Sequence, residues 1–259
     1  RWFAQRLQEV KAAVAQDISE FRLSEALKKI YSLIWDDYCS WYLEWIKPTQ
    51  DQPMHTENQE QAVLYFVELL KLLHPFMPFI TEELYHQVTA RAAGDDLMQQ
   101  RLEPARTPDT VLLDQGALLQ KLISALRDVR VKQQLKPRDE IRLIVPEQAA
   151  ASIKPIEEIL IRQAFIETLS YSTETSKDGV SFMVDTLSCC MQTDKQIDQT
   201  QVKEQLLKDL TYYQGFLESI DKKLGNERFV QNAKAEVVDM EKKKQADTRE
   251  KIRLIEENL

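Results

Sequence analysis

The chain has 259 residues, of which 43% are hydrophobic and 29% charged, and its formal net charge is −8 at pH 7. This composition is typical of a globular protein of one or two domains, and it excludes a disordered or membrane-embedded chain. The acidic balance excludes a surface that is basic throughout, so nucleic acid can only be bound by local basic groups. Five widely separated glycines exclude glycine-rich phosphate loops and favour a mainly helical fold.

Cysteine and histidine are too sparse and scattered to predict a disulfide framework or a metal site. Two of the three cysteines, Cys189 and Cys190, are adjacent, and His55, His74 and His86 lie among apolar and aromatic neighbours. No nucleophile–base pair is evident, and no apolar run is long enough to span a bilayer. We therefore expect no catalytic residue, no metal and no membrane contact, in a chain kept in a reducing, cytoplasmic compartment.

Residues 1–135 are predicted to form an antiparallel helical bundle. Ser24 is expected to cap the second helix and Thr81 the fourth. Residues 93–112 are expected to be a linker that packs across the bundle, before a last helix over 115–135. The second helix carries one continuous apolar stripe: Leu27, Ile30, Ile34, Tyr38, Trp41 and Trp45. We interpret the aromatic run from Trp35 to Trp45 as core in preference to a base-stacking platform.

Residues 136–193 differ in pattern and predict a small α+β subdomain. A hairpin turn is expected at Lys177-Asp178-Gly179. The predicted elements are a strand over 141–145, a helix over 147–163, and strands over 165–172 and 180–191.

Residues 194–259 are predicted to form an antiparallel coiled coil that breaks at Gly225. The first helix has apolar residues at heptad spacing: Leu206, Leu210, Tyr213, Leu217, Ile220 and Leu224. The second helix continues this frame with Val238 but places Glu241, Gln245 and Thr248 at its middle positions. Such an arm has no globular core, which suits reaching a partner.

Local clusters of basic residues are the candidate nucleic-acid contacts. Residues 127–142 hold six basic and three acidic residues, and Arg127 and Arg130 are expected to share an exposed helix face. The charge pattern alone is equally consistent with an ordinary solvated surface that binds no nucleic acid. The candidate nucleic-acid-binding residues in these clusters are Arg127, Arg130, Lys132, Lys136, Lys222, Lys223, Arg228, Lys242 and Lys243; Asn226 is a further candidate only through the family resemblance that follows.

Four segments, in order, resemble the C-terminal part of the bacterial valyl-tRNA synthetase family. They are SEALKKIYSLIWDDYCSWYLEWIKP (24–48), LLKLLHPFMPFITEELYHQ (69–87), LRDVRVKQQLKP (126–137) and LGNERFVQNAKAEVVDMEKKK (224–244). The second is similar to the family's LHPFMPFITEELW signature. The fourth is similar to the turn of its C-terminal arm, LSNExFVxxAPxxVVxxER.

The resemblance implies a class I synthetase anticodon-binding bundle, which faces the anticodon stem-loop, and an arm along the outer corner of the L-shaped tRNA. Arg127 and Arg130 match the two arginines of the family's LRxVR. Lys234 stands where the family has proline, and Lys242 where it has arginine. The turn residues that match are Asn226, Glu227, Phe229, Val230 and Ala233, of which Phe229 and Val230, with Val237 and Val238, are expected to pack the turn.

The resemblance further implies valine–tRNA ligase activity in a longer, monomeric, cytoplasmic protein. The family's HIGH and KMSKS motifs and its editing domain are absent from this sequence. ATP and Mg are therefore expected only in the absent catalytic domain, with no cofactor here, and tRNA for valine is the expected partner. The alternative is a helical and coiled-coil protein–protein adaptor that does not bind RNA.

Overall fold

A computed structural model describes residues 1–48, 53–88, 92, 94–173, 179–193, 199–226 and 235–257. The chain forms two compact units, Arg1–Gln120 and Lys121–Leu259, and each is described below by itself. A mainly helical fold with one small sheet is confirmed. Across the described ranges, no helix is both long and apolar enough to cross a bilayer. The three-part division at residues 135 and 193 stays a prediction.

The first unit is built from helices, as its 3- and 4-residue apolar spacing predicts. A π-helical segment, Leu33–Tyr42, joins α2 to α3 without a break. A short 3₁₀ turn, Leu97–Gln99, precedes α6, which continues into the second unit. The helices are α1 (Trp2–Ser19), α2 (Leu23–Ser32), α3 (Leu43–Ile46), α4 (Thr56–Leu73), α5 (Pro78–Val88) and α6 (Thr110–Lys132).

Aromatic rings fill the core of the first unit. Phe3 is fully buried, and its ring centroid lies 5.3 Å from that of Tyr38, 5.0 Å from Tyr42 and 5.1 Å from Tyr65. The Tyr38 hydroxyl donates a 2.8 Å hydrogen bond to the Ala62 carbonyl, which satisfies the one polar group of that ring. The prediction that this part of the aromatic run is core is confirmed.

Two predicted helix caps are wrong. α2 begins at Leu23, one residue before Ser24, so Ser24 lies inside the first turn. α5 begins at Pro78, and Thr81 is fully buried inside it. The Thr81 hydroxyl donates to the Met77 carbonyl at 2.8 Å and contacts His74 Nδ1 at 2.8 Å. Its hydrogen-bonding groups are therefore satisfied inside the unit, and it does not cap the helix.

The linker before α6 packs on α1, as expected. The backbone amide of Arg106 donates to Gln8 Oε1 at 2.9 Å, and that of Asp109 donates to Gln5 Oε1 at 3.0 Å. These bonds satisfy backbone donors of a segment that has no strand or α-helix of its own.

The second unit holds a four-stranded sheet with strand order β2-β1-β4-β3. β1 pairs with β2 in parallel and with β4 in antiparallel fashion, and β3 pairs with β4 in antiparallel fashion. The strands are β1 (Ile141–Pro146), β2 (Ile166–Ser172), β3 (Val180–Val184) and β4 (Leu187–Gln192). The crossover from β1 to β2 holds α7 (Ala150–Ile153) and α8 (Glu157–Gln163), with short 3₁₀ turns before each.

The hairpin predicted at residues 177–179 is wrong. β2 lies at the far edge of the sheet from β3, and the residues Lys177 and Asp178 are outside the described part of the chain. The hairpin instead joins β3 to β4 through Asp185, whose φ of +52° lies in the left-handed region. Aspartate tolerates that region, so the turn forms without glycine.

Two long helices, α9 (Gln199–Leu224) and α10 (Ala235–Glu257), complete the second unit. They pack side by side, and contacts between them show that they are antiparallel, as predicted. The contacts join Asp221 to Gln245, Lys223 to Glu241, and Tyr213 to Lys251.

Candidate nucleic-acid interface

The seam between α9 and α10 buries the residues that the heptad pattern selects. Ile220 and Val238 are buried, and the side chain of Leu217 is half-buried. Because the seam occupies one side of each helix, the opposite sides of both helices are available to a partner.

The flank of α9 beside the seam carries an aromatic and basic surface, which we call the α9 stripe: Lys208, Tyr212, Phe216, Ser219 and Lys223. These residues recur every three or four positions and therefore share one helix face. Tyr212 is 67% exposed and Phe216 40% exposed, and their rings are stacked with a centroid distance of 6.4 Å and an interplanar angle of 2°. Flat exposed rings between lysines are suited to stacking on bases while the ammonium groups contact phosphates.

The predicted arm lysines are on the surface. Lys222, Lys223, Lys242 and Lys243 are all exposed, and Asn226 is exposed at the end of α9. Arg228 lies outside the described residues. Exposed lysines on two adjacent helices can contact phosphates and release their counterions.

A polar layer crosses the arm near the end of α9, where the second helix places polar residues in the seam. Glu241 is 7% exposed, and its carboxylate lies 2.8 Å from Lys244 Nζ and 3.9 Å from Lys223 Nζ. The hydrogen bond from Lys244 lowers the pKa of Glu241. Gln245 donates a 2.5 Å hydrogen bond to Asp221 across the seam. The layer therefore fixes the pairing of the helices with polar contacts.

One predicted contact residue, Arg130, is buried. It is 3% exposed, and its guanidinium donates to the carbonyl oxygens of Asp139, at 2.5 Å, and Ala164. Burial lowers the pKa of Arg130. The expectation that Arg130 shares an exposed face with Arg127 is wrong. The chain reverses at Gln134, which has a φ of +55°, and brings the loop back over the last turn of α6.

The other basic residues near the end of α6 are exposed. Arg127 lies on the outer face of the helix, and Lys136 lies in the loop that follows it. Lys132 forms a 2.9 Å ion pair with Asp209 of α9. Arg127, Lys132 and Lys136 are all exposed and therefore stay candidates for phosphate contacts.

The first unit has an exposed aromatic pair of its own. Tyr31 is 62% and Trp35 is 60% exposed, and their rings are stacked with centroids 6.5 Å apart. Lys28 is exposed on the same face of α2, one turn earlier. The interpretation of Trp35 as core is therefore wrong, whereas Trp45, which is 7% exposed, is core.

Each end of the chain matches a known protein family. Residues 1–145 match the family described as the anticodon-binding domain of tRNA ligase, and residues 198–259 match the valyl tRNA synthetase tRNA binding arm. The chain belongs to the anticodon-binding domain family of tRNA ligases.

Its relatives include proteins named valine–tRNA ligase. Those of Phocaeicola vulgatus and Parabacteroides distasonis are 38% and 36% identical over the whole chain, and that of Christiangramia forsetii is 34% identical. The chain spans 29% of the length of these curated relatives.

The turn of the tRNA binding arm carries the motif positions that resemble the family. Glu227, Phe229, Val230, Ala233 and Lys234 lie outside the described residues. Val238 is buried as expected for packing. Val237, which is 39% exposed, is not, so its expected packing role is wrong.

The apolar spacing of the sequence does not indicate the exposed rings of the α9 stripe. Tyr212 and Phe216 each precede a seam residue, Tyr213 and Leu217, so they lie outside the heptad pattern. The available signal was a pair of aromatic residues four positions apart and off the seam. Such a pair on a coiled coil has no core to enter and must face solvent or a partner.

Proposed function

We propose that this chain is the tRNA-binding, non-catalytic C-terminal part of a valine–tRNA ligase. The α9 stripe is the observation that carries the proposal, because stacked exposed rings between lysines have no structural task in a two-helix arm. The match of the same helices to a tRNA binding arm supports it. The arm holds the outer corner of the folded tRNA, and the bundle holds the anticodon stem-loop.

The arm binds through two kinds of contact with different consequences. Lys208 and Lys223 neutralise phosphates, which sets the register of the arm on the RNA and makes the affinity fall with salt. Tyr212 and Phe216 stack on an exposed base or base pair, and stacking depends far less on salt.

In the first unit, the Tyr31–Trp35 pair is the proposed platform for unpaired anticodon bases. Single-stranded loop bases are recognised by stacking on aromatic rings, with sequence read at their polar edges. Lys28 lies on the same face, where it can contact the neighbouring phosphate.

The chemistry of the intact protein belongs to other domains. Valine is activated with ATP, in the presence of Mg, and transferred to the terminal ribose of tRNA for valine by the catalytic domain. The part described here acts by positioning, since it fixes the tRNA body and thereby the acceptor end. We assign the intact protein to the cytoplasm, as a monomer.

A filter-binding titration with tRNA for valine across a range of salt concentrations tests the proposal. Changing both Tyr212 and Phe216 to alanine is expected to weaken binding about 5- to 150-fold, from about 1–3 kcal/mol per stacked base, without changing the salt slope. Changing Lys208 and Lys223 to alanine is expected to make the slope shallower, by about 0.7–0.9 for each lost phosphate contact.

Leu207→Ala is the matched control. Leu207 is 48% exposed on the same helix but lies off the α9 stripe, so this variant should bind as the parent does. If the folded chain binds no tRNA even at low salt, the proposal fails and the protein–protein adaptor becomes the better account. If the aromatic variants bind as the parent does, the α9 stripe is not the contact surface.

A further inference from the structure

Three potential metal ligands converge at one end of the first unit. Glu82 and His86 lie four residues apart on α5, and Asp96 comes from the segment that precedes the 3₁₀ turn. His86 Nε2 is 2.9 Å from Glu82 Oε1 and 3.4 Å from Asp96 Oδ1. All three ligand atoms lie within 4.8 Å of one another, and each side chain is partly buried.

The fold holds these side chains in place before any ion binds. Residues four apart on a helix face the same side, which sets Glu82 beside His86. The Glu82 carboxylate accepts hydrogen bonds from the backbone amides of Leu97, at 2.7 Å, and Met98, at 3.1 Å. Leu97 is 2% exposed and packs in a small core, so Asp96 is attached to an anchored residue.

The oxygens of Glu82 keep capacity for an ion. A carboxylate oxygen has two lone pairs, so each can accept a backbone amide and still face a cation. Burial raises the pKa of Glu82, but the hydrogen bonds from Leu97, Met98 and His86 outweigh it and lower the pKa overall.

We propose that Glu82, His86 and Asp96 form a zinc site. Imidazole nitrogen with carboxylate oxygen suits zinc, whereas magnesium and calcium prefer oxygen ligands alone. Bonds of about 2.0–2.2 Å in a tetrahedron place ligand atoms roughly 3.3–3.6 Å apart, and His86 Nε2 and Asp96 Oδ1 have that spacing, at 3.4 Å. Three protein ligands leave the fourth position to water.

The bound ion would join α5 to the segment around Leu97. That link lies beside the small core of Leu70, Tyr85 and Leu97 and adds to the two backbone amide bonds that Glu82 accepts from Leu97 and Met98. The site is independent of the proposed RNA contacts, because it uses none of the residues assigned to them.

Equilibrium dialysis of the EDTA-treated, reduced chain against zinc tests the proposal. One ion per chain is expected to bind saturably. His86→Gln and Asp96→Asn are each expected to weaken zinc binding at least about tenfold, since even the loss of a group behind a ligand costs 10- to 100-fold. His55→Gln is the matched control, because His55 is exposed in a different part of the unit, and it should bind zinc as the parent does.

Cobalt serves as a spectroscopic probe of the same site. Cobalt in place of zinc is expected to give visible bands of a nitrogen–oxygen site without a thiolate charge-transfer band. Zinc should also raise the melting temperature of the parent chain but of neither variant, because a ligand that binds only the folded state stabilises it.

Three results would each overturn the proposal. They are the absence of saturable zinc binding, unchanged affinity in both variants when circular dichroism in EDTA shows that they fold, and a thiolate band that assigns the metal to the cysteines.

Discussion

Replacing Arg130 by alanine is expected to destabilise the second unit strongly. The guanidinium is buried and donates to five backbone carbonyl oxygens, of which those of Asp139 and Ala164 are the close ones. Removing the side chain leaves these oxygens buried without their donor. An orphaned buried acceptor costs about 1–3 kcal/mol, so with the two close acceptors left unpaired we expect a loss of about 3–5 kcal/mol.

Urea and thermal unfolding followed by far-ultraviolet circular dichroism measure this loss. At about 2–4 °C per kcal/mol, the melting temperature should fall by roughly 6–20 °C. All four tryptophans lie in Arg1–Gln120, so tryptophan fluorescence reports on the first unit and helps to locate the change.

Arg127→Ala is the matched control on the same helix. Arg127 is exposed, so its loss should change stability by no more than about 0.5 kcal/mol while weakening binding to tRNA. If Arg130→Ala melts with the parent and loses tRNA binding instead, Arg130 is a contact residue and its role in closing the loop over α6 is refuted.

Three further changes follow from the packing. Gly116→Ala should destabilise the first unit by about 1–3 kcal/mol, measured by urea unfolding with tryptophan fluorescence, because a Cβ there would overlap the Trp2 ring. A gain of about 1 kcal/mol, as in an open helix, would contradict this. Since the pKa of Glu241 lies below its ordinary 4.5, the contribution of this carboxylate to stability is fully present above pH 4.5 and is lost as the pH falls through the lowered pKa. Glu241→Gln should therefore flatten the acid dependence of the melting temperature. An unchanged pH profile in thermal melts would contradict this. Asp185→Val should cost about 1–2 kcal/mol because a β-branched residue resists the positive φ of that turn, whereas Asp185→Asn should cost much less in the same melts; equal melting of the two variants would refute the turn argument.

Periodicity predicted the elements that carry a strong repeat. The helices of the bundle and the two arm helices follow directly from apolar residues at intervals of three and four, and β1 follows from alternation at Ile141, Leu143 and Val145. Each of these patterns is local, and burial of one face is enough to decide the structure.

Caps, turns and strand pairing were harder because distant contacts decide them. Thr81 looks like a cap, but the core of the first unit places it inside α5 beside His74. The turn Lys177-Asp178-Gly179 predicts a hairpin between β2 and β3. Instead, β2 pairs with β1 at the opposite edge of the sheet from β3. Asp185 takes the turn without any strong sequence signal.

The candidate interface was predicted in outline and corrected in detail. The arm lysines are exposed as their positions indicate, since a coiled coil has a single buried seam. Arg130 is buried because a loop folds back over it, whereas Trp35, in the π-helical segment, is exposed and stacks on Tyr31. The spacing of residues along the sequence predicts neither the burial of Arg130 nor the exposure of Trp35.

Nuclease or hydroxyl-radical footprinting of tRNA for valine bound to the chain tests the central claim most directly. Two separate protected regions are predicted, one in the anticodon stem-loop and one at the outer corner of the tRNA. Changing Tyr212 and Phe216 to alanine should remove the protection at the corner and leave that at the anticodon. A folded chain that protects neither region, or corner protection that survives loss of both rings, would contradict the account.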